Sequence, residues 1–156
     1  MADDLKVAKI VSGGQTGVDR AALDVAIELN FPCGGWVPKG RRAEDGRIPP
    51  DYPLRETGGR GYSERTLLNV RDSDATLILT RGEPTGGTAL TIEYAYSLDR
   101  PHLIVDLDTA SDPDEAKAWL VEHEACVLNV AGPRESSAPG IYDQAAAFMA
   151  SLLKTG

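Results

Sequence analysis

The stretch SGGQTGVDR, Ser12 to Arg20, gathers three glycines, a carboxamide, a carboxylate and a guanidinium into nine residues. It follows a short apolar run. It precedes Val18, Ala21, Ala22, Val25, Ala26 and Leu29, which recur at helical spacing. Glycines permit tight turns and let a ligand come close to the backbone. A helix that starts just after them aims its unpaired N–H groups at whatever enters, which suits an anion and phosphate above all. Gly13, Gly14, Gln15, Thr16 and Gly17 are therefore candidate phosphate contacts. Asp19, in the first turn, either offsets the helix dipole, takes ribose hydroxyls, or holds Arg20.

A second glycine loop, RGEPTGGT, follows the apolar run ATLILT and again leads into an apolar helix. The amides of Gly86, Gly87 and Thr88 form a second candidate cradle for phosphate or carboxylate. The loop GGWVPKGRRAEDGRI carries Trp36, Lys39, Arg41, Arg42 and Arg47, a local excess of cations in an acidic chain. It reads either as solvated surface or as a flap whose Lys39, Arg41 and Arg42 meet phosphate while Trp36 stacks on a flat ring.

Other chemistries find no support. The pattern GxxxxGK[ST] is absent, because Gly17 is followed by Val18 and Asp19. The dinucleotide pattern GxGxxG lacks its first glycine, where Ser12 stands, and Val37 and Pro38 occupy the place of the ribose-binding acid. His102 and His123 have no visible metal partner, so no metal site is expected. No Ser–His–Asp order or nucleophile elbow occurs.

The elements that must position these loops alternate. Strands are expected at Lys6 to Val11, in CGGWV, at Ala75 to Thr80, in HLIVDL and in CVLNV. Helices are expected over roughly Gly17 to Asn30, in YSERTLLNVRDS with Ser63 near its N-cap, up to about Asp99, in DPDEAKAWLVEH with an Asp cap and Pro in the first turn, and in IYDQAAAFMASLL. The stretch Pro38 to Gly61 resists assignment and reads as a functional loop. This alternation predicts a doubly wound parallel sheet with helices on both faces, a three-layer α/β/α Rossmann-like domain spanning residues 1–156. In such folds ligands sit beyond the carboxyl ends of the strands. Three polar loops lie there: SGGQTGVDR, RGEPTGGT and VAGPRES.

Composition sets the outer bounds. The chain is 42% apolar and 26% charged, with a net charge of −8. Such a balance repels nucleic-acid backbones and anionic membranes. Neither a signal peptide nor a membrane-length apolar run appears. Cys33 and Cys126 lie far apart without a CxxC pattern and read as two buried free thiols. A cytoplasmic protein is expected.

Four segments together, SGGQTGVDRAALDVAIE, GGWVPKGRRAEDGRIPPDYPLRET, RTLLNVRDSDATLIL and GGTALTIEYA, resemble the molybdenum cofactor carrier family, in the circularly permuted branch of the SLOG superfamily. The similarity runs from about Ile10 to Asp108. It implies a Rossmann-like fold that holds molybdenum cofactor, or a related phosphorylated pterin or nucleotide, and passes it on without chemistry, often as a homo-oligomer. The superfamily also includes lysine decarboxylase-like phosphoribohydrolases with the pattern PGGxGTxxE. Pro84, Gly86, Gly87 and Glu93 match it loosely, but Ala89 and Leu90 replace its Gly and Thr. The alternative function is thus N-glycosidic hydrolysis of nucleoside monophosphates, with Glu93 as acid or base and Arg81 or Arg20 as the phosphate or oxyanion partner. A nucleotide sensor is a third class.

Overall fold

The computed structural model describes residues 5–109 and 111–154. The chain runs β1 (Lys9–Val11), α1 (Val18–Glu28), β2 (Cys33–Gly34), β3 (Trp36–Val37), β4 (Arg42–Ala43), β5 (Gly46–Arg47), β6 (Arg55–Glu56) and α2 (Tyr62–Arg71). It continues through β7 (Ala75–Thr80), α3 (Gly86–Ser97), β8 (His102–Asp106), α4 (Pro113–Glu122), β9 (Val127–Ala131) and α5 (Ile141–Leu153).

Five strands form one sheet in the order β2-β1-β9-β7-β8. Every pairing within it is parallel. The run ATLILT is buried at every position of β7, as expected for a parallel strand covered on both faces. Helices α1, α4 and α5 pack together on one face, and α2 and α3 on the other. Ile10, Leu77, Leu79, Leu128, Ile141 and Met149 are fully buried in the core between sheet and helices. The expected three-layer α/β/α architecture is therefore present.

Counting the strands from β7 through β8, β9, β1 and β2 turns the spatial order into 2-1-3-4-5, a common doubly wound arrangement. The winding reverses between β7 and β9, and a crevice opens there. The chain thus begins part-way round the usual circuit of the fold.

Most elements lie where the sequence places them, and three differ. CGGWV is not one strand: Gly35, at φ 134°, splits it into β2 in the main sheet and β3 in a small parallel pair with β6. The unassigned stretch is an ordered insertion, made of β3, β6 and the β4–β5 hairpin between them. Helix α2 starts from Gly61 with no side-chain cap, so Ser63 lies within its first turn. By contrast α4 has its expected cap: Asp112 Oδ1 accepts from the Asp114 N–H at 2.9 Å, and Pro113 follows. Cys33 is half-buried and Cys126 exposed, which corrects the expectation of two buried thiols. Both are free. Among the described residues no helix is long and apolar enough to cross a membrane.

Candidate functional site

A cavity of about 430 Å³ opens beyond the carboxyl ends of β1, β7 and β9. One wall is the loop after β1, through Gly13, Gln15 and Asp19. A second is α2, through Tyr62, Arg65, Thr66 and Asn69. A third is the start of α3, from Thr85 to Thr91, and a fourth is the loop after β9, with Arg134, Ser136 and Ser137. Asn129 and Ala131 of β9 also line it. The volume falls in the range of small-molecule sites, about 300–1,000 Å³.

The wall at α3 has open backbone donors. Thr85 is extended, and Gly86, the first residue of α3, is left-handed at φ 54°. The Thr88 and Ala89 N–H groups return to the Thr85 carbonyl at 3.1 and 3.3 Å. The Gly86 and Gly87 N–H groups have no partner among the described residues. A Cβ at either glycine would meet nothing within 4 Å, so the approach is clear. Arg134 lines the same cavity, is exposed, and forms no ion pair or side-chain hydrogen bond among the described residues. Bare helix-terminal amides facing an unengaged guanidinium make an anion site in physical terms.

The loop after β1 is built differently from the expectation. Its amides turn inward: Gln15 N–H to Asp19 Oδ2 at 3.4 Å, Thr16 N–H to Gln15 Oε1 at 3.1 Å, and Val18 N–H to the Pro133 carbonyl at 3.3 Å. Gly14, at φ 71°, packs under the insertion, where an added Cβ would lie 3.0 Å from both Ile48 and Leu54. Gly17, at φ 78°, passes so close to Pro133 that a Cβ would collide with its carbonyl. The carbonyls are taken too. Arg65 Nη1 donates to Gly13 O at 2.6 Å, and Arg20 Nε donates to Gly14 O at 3.0 Å. The loop therefore presents Gly13 and two side chains, Gln15 and Asp19, to the cavity rather than a row of amides.

Asp19 is 6% exposed. Burial pushes its carboxyl up to about 6, against the opposing pull of the Arg65 and Arg20 charges and the Gln15 and Gly13 amides. Arg65 is lowered by its own burial, a shift countered by Asp19. A carboxylate and a guanidinium thus share a poorly solvated floor. Gln15 is 5% exposed, and its Nε2 has no partner.

Of the residues singled out in the sequence, Gly13, Gln15, Asp19, Gly86, Gly87 and Thr88 line the cavity; Gly14, Thr16, Gly17, Arg20, Trp36, Lys39, Arg41 and Arg42 do not. Two cations of the insertion, Arg41 and Arg42, have other partners. Arg41 is buried, and its guanidinium donates to the carbonyls of Ile48, Pro49, Tyr52 and Leu54. Arg42 donates to the Arg60 carbonyl at 2.8 Å and lies over Tyr62. Lys39 is exposed. Trp36 is held outside the cavity: Asn69 clamps its backbone N–H and carbonyl, Nε1 donates to Asp72 at 2.9 Å, and Arg55 covers its ring. Arg20 forms a two-toothed pair with Asp45 at 3.1 and 3.2 Å. Thr16 and Ser136 both donate to Glu44 of the hairpin.

The residues of the hydrolase alternative lie elsewhere. Glu93 is exposed and outside the cavity. Arg81 is bound to Gln144, to the Pro139 carbonyl at 2.8 Å and to Asp108 at 3.3 Å. Tyr62, Arg65, Asn69 and Arg134 line the cavity without having been singled out. Arg134 carried a signal, since it lies in VAGPRES, a loop already placed at the carboxyl edge. Arg65 and Asn69 carried a weaker one: polar residues four apart share one helix face.

A family model described as the circularly permutated YpsA SLOG family matches residues 10–153. The comparison with curated proteins found no match. Among solved structures, a crystal structure of a candidate molybdenum carrier protein from Syntrophus aciditrophicus SB is similar. It is 49% identical, with a TM-score of 0.92 and 96% of each chain covered.

Proposed function

This chain belongs to the circularly permutated YpsA SLOG family, and from that premise we propose that it binds and carries a phosphorylated heterocycle, with the molybdenum cofactor as its cargo. One observation carries the reading. The unpaired Gly86 and Gly87 amides face Arg134 across a cavity lined largely by hydroxyl, amide and guanidinium groups. Phosphate is held at the α3 terminus, and the ring extends toward Gln15, Asp19 and Tyr62. The 49% identical structural neighbour, a candidate molybdenum carrier by name, supports this choice of cargo.

The grip is reversible because it consists of hydrogen bonds and charge. Calorimetric titration with a phosphorylated pterin or a nucleoside monophosphate tests it. Arg134→Ala is expected to weaken binding about tenfold, or about 1.4 kcal/mol, and to flatten its salt dependence. Unchanged affinity and unchanged salt slope would remove the phosphate site from this cavity.

A hydrolytic reading has one observation in its favour: Asp19, the single carboxylate among the described residues lining the cavity, is raised by burial to about 6, toward the range where a general acid works. It requires release of free base from a nucleoside monophosphate and its loss in Asp19→Asn. No base release above background is the outcome expected of a carrier. We also read the protein as cytoplasmic and self-associating, which light scattering tests for the second point.

A further inference from the structure

Gln15 Oε1 accepts from two backbone donors, Thr16 N–H at 3.1 Å and Glu44 N–H at 2.8 Å. Those bonds fix which end of the carboxamide is which. Turning it over would set its NH₂ against two N–H groups. The end directed away from both is therefore Nε2, a donor with no acceptor capacity. It is buried, lacks a partner, and belongs to a residue that lines the cavity. Buried donors are nearly always paired, so an unpaired one fixed at a ligand cavity marks where a ligand acceptor belongs. Asp19 lines the same loop wall, its Oδ2 accepting from the Gln15 backbone N–H at 3.4 Å. A donor and an acceptor thus share one wall of the cavity that the unpaired amides of α3 also line.

We propose that Gln15 Nε2 is the specificity-determining donor of this cavity, receiving a ring carbonyl oxygen of the ligand while Asp19 takes the neighbouring ring N–H. The inference rests on the reading of the cavity as a site for a phosphorylated heterocycle, and it names the ring class: one with a lactam edge. A carbonyl oxygen offers two lone pairs over a wide arc, which suits a donor whose own direction is fixed. An amino group at that place sets N–H against N–H and leaves Nε2 unsatisfied, the kind of mismatch that discriminates most strongly between ligands.

Guanosine 5′-monophosphate, adenosine 5′-monophosphate and ribose 5-phosphate separate the two levels by calorimetric titration at pH 8. The folded protein should bind the guanine nucleotide at least tenfold more tightly than the adenine one. Gln15→Glu keeps the acceptor that holds Thr16 and Glu44 and replaces the donor with oxygen. Its added charge weakens all three ligands alike, as ribose 5-phosphate reports, while the guanine preference should vanish or invert. Gln15→Met, nearly isosteric and uncharged, should lose the preference without inversion and serves if the Glu variant does not fold. Equal affinity for the two nucleotides in the unaltered protein, or an unchanged ratio in the folded variant, overturns the proposal. Ribose 5-phosphate binding alongside either result leaves the phosphate site standing. Failure of all three ligands to bind removes both readings.

Discussion

At the scale of single residues, Asp19 shows how a site sets its charge against stability. Its pKa rises from 3.8 to about 6 on folding, chiefly because burial disfavours the anion. A raised folded pKa means that its contribution is fully present below about pH 4 and is lost as pH rises through about 6. The shift corresponds to about 3 kcal/mol as an order of magnitude. Asp19→Asn should therefore raise the ligand-free melting temperature by several degrees at pH 7.5 and by much less at pH 4. Differential scanning calorimetry at the two values decides it, and equal shifts would contradict the burial argument. Gly14 makes the complementary case. With φ at 71° and Ile48 and Leu54 at 3.0 Å from an added Cβ, Gly14→Ala should cost about 1–3 kcal/mol of stability. Chemical denaturation would record that loss, and ligand affinity of the folded fraction should change little.

At the scale of elements, the insertion between β2 and α2 is held by a buried guanidinium. Arg41 serves four carbonyls of the segment from Ile48 to Leu54, at distances from 2.6 to 3.4 Å. Lysine brings the charge but not the planar fork. Arg41→Lys and Arg41→Ala should both speed amide exchange across residues 48–57 and lower stability by about 2–4 kcal/mol, with ligand affinity following only indirectly. Protection unchanged in the lysine variant would show that charge alone suffices. The same segment is tied to the helix layer through Asp24, which accepts from both Tyr52 and Tyr142. Burial and the Asp24 bond push Tyr52 up to about 12, and the same causes, in the same order, push Tyr142 up as well. Stability from these phenols is present below the ordinary tyrosine range and disappears as pH rises through the shifted values. A spectroscopic titration should show two late tyrosines that move back toward 10 in Asp24→Asn.

At the scale of the whole molecule, the main sheet runs in the order β2-β1-β9-β7-β8, with the crevice between β7 and β9. Because every main strand is parallel, β1 and β7 begin at one edge of the sheet, and α5, running back from β9, ends at that edge. The ligand cavity lies at the opposite edge. A circular permutant that links the segment before β1 to the end of α5 through a short Gly/Ser linker and opens at the turn before Ala75 should therefore keep the sheet and the cavity. Circular dichroism and nucleotide titration would show a native-like fold and an affinity within a few-fold of the parent. Loss of binding in a folded permutant would mean that the chain ends support the site.

The sequence by itself determined whatever depends on local pattern. The buried run ATLILT, the stripe of α1, the Asp112 cap and the alternation of strands with helices specified a parallel sheet, and that sheet implies an edge where three polar loops converge. Periodicity and capping are short-range, so they are written in neighbouring residues. The tertiary structure alone decided which of those loops is open. SGGQTGVDR and PTGGT look alike as text, yet the first is closed over by Val37, Ile48 and Leu54 and spends its amides within the loop. The second keeps two amides bare. Arg41 reads as a ligand-facing cation until the four carbonyls around it are seen, and Trp36 as a stacking ring until Asn69 and Asp72 are placed against it. Arg65 and Arg134 enter the site from segments on either side of the crevice. A charged side chain bonds to the first suitable partner within reach, and only the folded chain establishes which partner that is.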